Sequence, residues 1–172
     1  MPRQRNEGSA RRWTLAAAAA VVGSLLGAAP AKADWDYTQW GMTAAEVMAA
    51  SEGAAQDNAD RSLDADGLKA TLVAPYQGST IEFTAVFLFD PTGRLRYVSL
   101  DPVSQTACAA MMQNLASRYG VPESAADMVG ARTMRWDDVT DDNLIVFLDL
   151  GAGHCSVQYS KLPATKPNGK GL

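Results

Sequence analysis

Ile81, Phe83, Ala85, Phe87 and Phe89 stand two residues apart, with Glu82, Thr84, Val86 and Leu88 between them. That period of two predicts a strand over residues 81–89 whose aromatic face turns to the core. Val86 and Leu88 on the other parity predict a second face that is partly covered as well. Asp90-Pro91-Thr92-Gly93 then has Pro at i+1 and Gly at i+3, the chemistry of a type I turn closing a hairpin with residues 95–100. Further strands are predicted over 68–75, ended by a turn over 75–79, and over 131–136, 144–150 and 155–160.

Two segments follow the helical period instead. Thr43 and Glu46 stand three apart, as a capping box requires, and Met42 and Val47 have the spacing of a hydrophobic staple. A helix is therefore predicted from Ala44 to about Ser51. Cys108, Met111, Met112, Leu115 and Tyr119 form the apolar stripe of a second helix. It starts at a cap on Ser104 or Thr106 and stops at Gly120 and Pro122. Residues 56–67 are rich in Asp, Asn and Ser and read as a loop. The sum is an α+β domain: a mainly antiparallel sheet of about five to six strands with two helices packed on one face.

The ends of the chain read differently. Arg3, Arg5, Arg11 and Arg12 precede an apolar run from Trp13 to Ala29, and Ala31-Lys32-Ala33 supplies a small-x-small site. Residues 1–33 are therefore expected to be a cleaved signal peptide, with the single domain over 34–161. The run from Leu15 to Ala29 is short and mostly alanine, less than a membrane span needs, so no membrane insertion is expected after cleavage. With no cysteine near the cleavage site, a lipid anchor is not expected either. Arg11-Arg12 partly resembles a twin-arginine signal, which leaves Sec and Tat export open. Residues 162–172, rich in Pro, Gly and Lys, are expected to form a disordered tail. The expected location is the periplasm or the exterior.

Losing residues 1–33 removes five of the 15 basic and one of the 19 acidic residues, leaving a strongly acidic chain. A basic face for nucleic acid, or for an anionic membrane, is thereby not expected. Cys108 and Cys155 are the only cysteines, one on the helical stripe and one sharing parity with Val157 and Tyr159. A helix lying on a sheet brings those faces together, and an oxidising compartment favours the bond, so a Cys108–Cys155 disulfide is expected. Closing so long a loop stabilises by about 4 kcal/mol in the chain-entropy picture. His154, next to Cys155, points to the opposite side of a regular strand and cannot serve it as a base.

Candidate chemistry is sparse. His154 is the only histidine, in a glycine turn, where solvation explains it. Asp137, Asp138, Asp141 and Asp142 crowd a hairpin loop without calcium-loop spacing, which leaves cation binding there undecided. Nucleophilic triads and phosphate loops lack the residues they need. No catalytic, metal or cofactor site is assigned, and no cofactor is expected. Trp35, Tyr37 and Trp40 form a candidate ligand or partner surface, against the alternative that they pack over an open end of the core.

The stretch Trp40-Gly41-Met42-Thr43-Ala44-Ala45-Glu46-Val47 resembles the Gly-Met-Thr-x-x-Glu-Val start of small bacterial envelope modules. These include the BamE/SmpA assembly lipoproteins and β-lactamase-inhibitor-like domains. The resemblance implies a small α+β scaffold that binds other envelope components. The expected function is a non-enzymatic binding or accessory module whose partner is another envelope protein or a small ligand. The alternatives are a small hydrolase or metal-dependent enzyme built on a carboxylate cluster, and a structural or stress-related secreted protein.

Overall fold

The computed structural model describes residues 34–164, all within one compact unit. The expected signal peptide (residues 1–33) and residues 165–172 of the expected tail lie outside the described residues. Helix α1 (Ala44–Ala50) opens with the predicted capping box. The Thr43 backbone N–H donates to the Glu46 carboxylate at 2.7 Å, and the Glu46 N–H donates to Thr43 Oγ1 at 3.3 Å. Four strands follow: β1 (Gln56–Asp57), β2 (Lys69–Gly78), β3 (Ile81–Phe89) and β4 (Leu95–Pro102). After a 3-10 turn capped by Ser104 comes α2 (Cys108–Tyr119). Four more strands complete the chain: β5 (Ser124–Met128), β6 (Ala131–Asp138), β7 (Asn143–Asp149) and β8 (Cys155–Lys161).

The fold class is α+β, but the sheet has eight antiparallel strands in the order β1-β2-β3-β4-β8-β7-β6-β5, more than the expected five to six. Both strands missing from the sequence reading lie at the edges. β5 is exposed at all five positions, so no buried face imposes an alternation on it. β1 is two residues in a polar stretch, held by pairing of Gln56 with Val73 and Asp57 with Leu72. β2 runs straight through Pro75, where a turn was expected. β1 stops at Val73, so from Ala74 on β2 is an edge strand, where a residue without an N–H is tolerated.

The core follows the alternation. Phe83, Ala85, Phe87 and Phe89 join Leu72, Val98, Leu100, Phe147 and Val157 in one buried cluster. Val47 of α1 and Met111 and Leu115 of α2 belong to it, so both helices pack on that face. On the other face Ala70, Val86 and Leu88 are covered by Leu63 and Leu68, as the apolar second parity of β3 led one to expect.

The sheet also has an internal two-fold arrangement. Each half is a helix followed by four sequentially paired strands, and the two fourth strands, β4 and β8, meet at the centre. The row Asp57, Leu72, Phe87, Val98 crosses the first half. Its counterpart Ala125, Met134, Phe147, Val157 crosses the second. At the centre Val98 pairs with Tyr159 and Leu100 with Val157. A pseudo-dyad near Ser99 and Gln158 thus exchanges Val98 with Val157 and Leu100 with Tyr159.

Candidate functional site

The disulfide forms as expected. Cys108, at the start of α2, and Cys155, at the start of β8, are bonded with Cα atoms 5.8 Å apart, and Cys155 Sγ lies 3.6 Å from Met111 Sδ. The bond holds the first turn of α2 against the centre of the sheet, which fixes where the rest of the helix crosses.

The aromatic lead-in folds back into the domain. Thr38 closes a tight turn on Trp35, its N–H and hydroxyl both donating to the Trp35 carbonyl at 2.8 Å. Trp35 is only 6% exposed. Its ring lies 5.2 Å from the Tyr76 ring, 5.9 Å from Phe87 and 6.2 Å from Tyr159. Trp35 is therefore a core residue and not an open stacking face, because the sheet leaves apolar surface at this end that an aromatic ring fills best. Tyr37 and Trp40 are half-buried at its rim. The Trp40 indole N–H donates to Asn143 Oδ1 at 3.0 Å, and burial, then the Asp36 charge, push the Tyr37 phenol up to about 12.

Next to Trp35 the helix face of the sheet is not filled. A cleft of about 180 Å³ opens between α2 and strands β2, β3, β4 and β8. Its floor is Ile81, Phe83, Leu100 and Val157; Met111 and Leu115 form the helix wall. Three tyrosines from three elements, Tyr76 of β2, Tyr119 of α2 and Tyr159 of β8, line this space together with the polar side chains of Ser79, Asn114 and Arg118. Burial pushes the Tyr159 phenol far above its ordinary value, and interaction with Tyr119 adds to the shift. Burial also raises Tyr76. Both phenols therefore stay protonated and remain hydrogen-bond donors at any physiological pH.

Arg118, exposed at the mouth, lies 5.4 Å over the Tyr119 ring, a cation–π distance. Among the described residues it pairs with no carboxylate. Gly78 makes the tyrosine wall possible. A Cβ there would stand 3.0 Å from the Phe83 ring and 3.2 Å from that of Tyr76, so a side chain would force one or both rings to shift. Periodicity pointed to Tyr119 and Tyr159 as core-facing positions, but nothing local marks Tyr76 or Arg118 as their neighbours.

His154 is exposed in its glycine turn and lines an open groove of about 350 Å³ with Asp101 and Ser156. Burial raises the Asp101 carboxyl, partly offset by the Ser99 hydroxyl donating at 3.2 Å. Among the described residues no hydrogen bond joins His154 to Asp101 or Ser156. At the β6–β7 hairpin Asp137 is bridged by Arg135 at 2.8 Å, and Asp142 lies 3.6 Å from Lys161. Asp138 accepts from the Thr140 and Asp141 N–H groups, which makes it a turn-forming residue. Among the described residues no three His, Cys, Asp or Glu side chains are grouped to hold a metal ion, and no helix is long and apolar enough to cross a membrane.

No family model, curated protein or solved structure matches the chain. The likeness of Trp40–Val47 to envelope modules therefore stands on those residues alone. Within this fold Thr43 and Glu46 form the α1 cap, and the Gly41 N–H pairs with the Leu95 carbonyl at 3.0 Å.

Proposed function

We propose that this protein is an exported binding module whose ligand is a small, mainly apolar molecule with one anionic end. The observation that carries the reading is the cleft beneath α2, where an apolar floor meets neutral phenol donors and an Arg118 that pairs with no carboxylate among the described residues. Apolar walls with a few convergent polar groups are the usual make-up of a ligand pocket. The volume, below the usual ~300 Å³, suits a molecule no larger than a single-ring carboxylate or a short fatty acid. Export is supported by the basic, apolar and small-x-small zones of residues 1–33 and by the disulfide, which persists outside the cytosol. The resemblance of the first helix start to envelope modules points to the same compartment. It also supports an accessory role beside other envelope components.

Trp35 reports on the cleft because its ring contacts Tyr76 and Tyr159. Its fluorescence should change on titration with benzoate or hexanoate and change far less with benzyl alcohol or hexanol. Arg118→Ala should abolish that preference for the acid while the melting temperature stays put. Leu115→Trp, filling the cleft, should remove both responses. A chain blind to all four probes, or an Arg118→Ala variant with the preference intact, refutes the reading. For export, the first residue of the protein recovered from the periplasm should be Asp34.

A further inference from the structure

The two halves of the sheet treat their outer edges differently. In the first half the edge strand β1 is two residues long. The chain leaves it to cross the outer face, where Leu63 and Leu68 cover Val86 and Leu88, and this stretch carries Asp57, Asp60, Asp64 and Asp66. In the second half β5 is five residues long and exposed throughout, and only Val129 and Gly130 separate it from β6. β6 occupies one side of β5; on the other side no strand of the described residues lies beside it.

Open edges are ordinarily blunted by Lys, Pro or a bulge. Ser124-Ala125-Ala126-Asp127-Met128 has no Lys or Pro, and it pairs with β6 in unbroken register. Apolar side chains gather there instead. Of the seven large apolar residues left exposed among the described residues, Met128 belongs to this strand and Val121 and Val129 flank it in sequence, while Leu150 lines an open groove with Met128. Asp127 of β5 and Asp137 of β6 are each paired with an arginine, with Glu123 and Asp149 as further acidic groups close to the same arginines. Arg132 Nε is 2.6 Å from Asp127, and Arg135 Nε is 2.8 Å from Asp137, within a chain of net charge −4.

We infer that β5 is the docking edge for a second copy of this chain, which adds its own β5 antiparallel and continues the sheet across a two-fold axis. Such an interface must be self-complementary. Centred on Ala126, the pairing sets Asp127 opposite Ala125 of the second copy and Ser124 opposite Met128, so no like charges face one another. The same operation at β1 would bring two aspartate-rich stretches together. A five-residue ladder with its flanking apolar side chains falls short of the ~1,600 Å² of a standard interface, so the dimer depends on concentration.

Sedimentation equilibrium of the purified protein at rising concentration should show the mass climbing toward twice that of one chain. Ala126→Lys places two lysines against each other on the axis, and Met128→Lys charges its end. Both should stay monomeric where the unaltered protein has doubled, while Thr84→Lys in the other half should still double. Under mild oxidation Ala126→Cys should cross-link to its own copy, and Thr84→Cys should not. A single-chain mass at every concentration overturns the inference, as does doubling of Ala126→Lys like the unaltered protein. So does an Ala126→Cys cross-link no stronger than that of Thr84→Cys. Should Ala126→Lys lose its circular dichroism signature, Met128→Lys and the cross-link decide the matter.

Discussion

Phe87 and Phe147 occupy equivalent places in the two halves of the sheet. Each pairs with a valine of a central strand, Phe87 with Val98 and Phe147 with Val157, and both are essentially unexposed. Phe87 also meets the Trp35 and Tyr37 rings, and those aromatics belong to the lead-in of the first half only.

Truncating either phenylalanine to alanine should therefore cost about 3–5 kcal/mol. Phe87→Ala should be the larger loss, since two further rings lose a contact surface. Urea unfolding of the two variants side by side would measure both the size and the order.

The Cys108–Cys155 bond joins residues 47 apart in sequence. Replacing both by serine should lower stability by about 2–5 kcal/mol and free the first turn of α2 from the sheet. Because α2 is one wall of the cleft, the ligand response of Trp35 should weaken before the sheet unfolds. Melting with and without reductant, together with a thiol count, would read the outcome; free thiols in the untreated protein would contradict the assignment.

Asp90 organises the β3–β4 hairpin. Its carboxylate accepts from the Thr92 hydroxyl at 2.6 Å, the Arg94 N–H at 3.1 Å and Arg96 Nε at 2.7 Å. These bonds hold the carboxyl well below the usual range. A folded value depressed below the unfolded one gives stability that is present above about pH 4 and is lost as the pH falls toward the folded value. Asp90→Asn should thus be less stable than the unaltered chain at neutral pH, and the gap should close on acidification. Urea midpoints measured at neutral and acidic pH test this; a gap that stays constant with pH would show that the charge plays no part.

Asn143 stands where the pseudo-dyad would place a second Phe83: Phe83 pairs with Tyr76 in the first half, and Asn143 with Asp138 in the second. The exchange of ring for amide follows from the lead-in. Asn143 is buried, its Oδ1 accepts from the Trp40 indole, and its side-chain nitrogen donates to the Asp34 carbonyl. Asn143→Ala should cost about 1–3 kcal/mol by leaving both groups unpaired. Hydrogen exchange should show the effect at Asp34 to Trp40 more than at α2.

Local order was legible wherever a single segment supplies its own reason. The Thr43–Glu46 box, the alternation of Ile81 to Phe89, the Asp90 turn and the Cys108 stripe each rest on spacings of a few residues. Those spacings act on backbone groups or faces close by in the chain, so sequence alone determined both helices, the central strands and the disulfide. The edge strands escaped because an exposed strand needs no alternation: β1 and β5 are strands only by virtue of the β2 and β6 backbones beside them. Pro75 misled for the same reason, since its tolerance depends on where β1 happens to stop.

The cleft was decided by tertiary structure. Tyr76, Tyr119 and Tyr159 lie on three elements far apart in sequence, and they converge only because β4 pairs with β8 and the disulfide sets α2 across that seam. The fate of Trp35 was settled the same way, by an apolar gap at the end of the sheet. Whether an aromatic ring faces solvent or core depends on the space its distant neighbours leave, and that is a property of packing rather than of spacing along the chain.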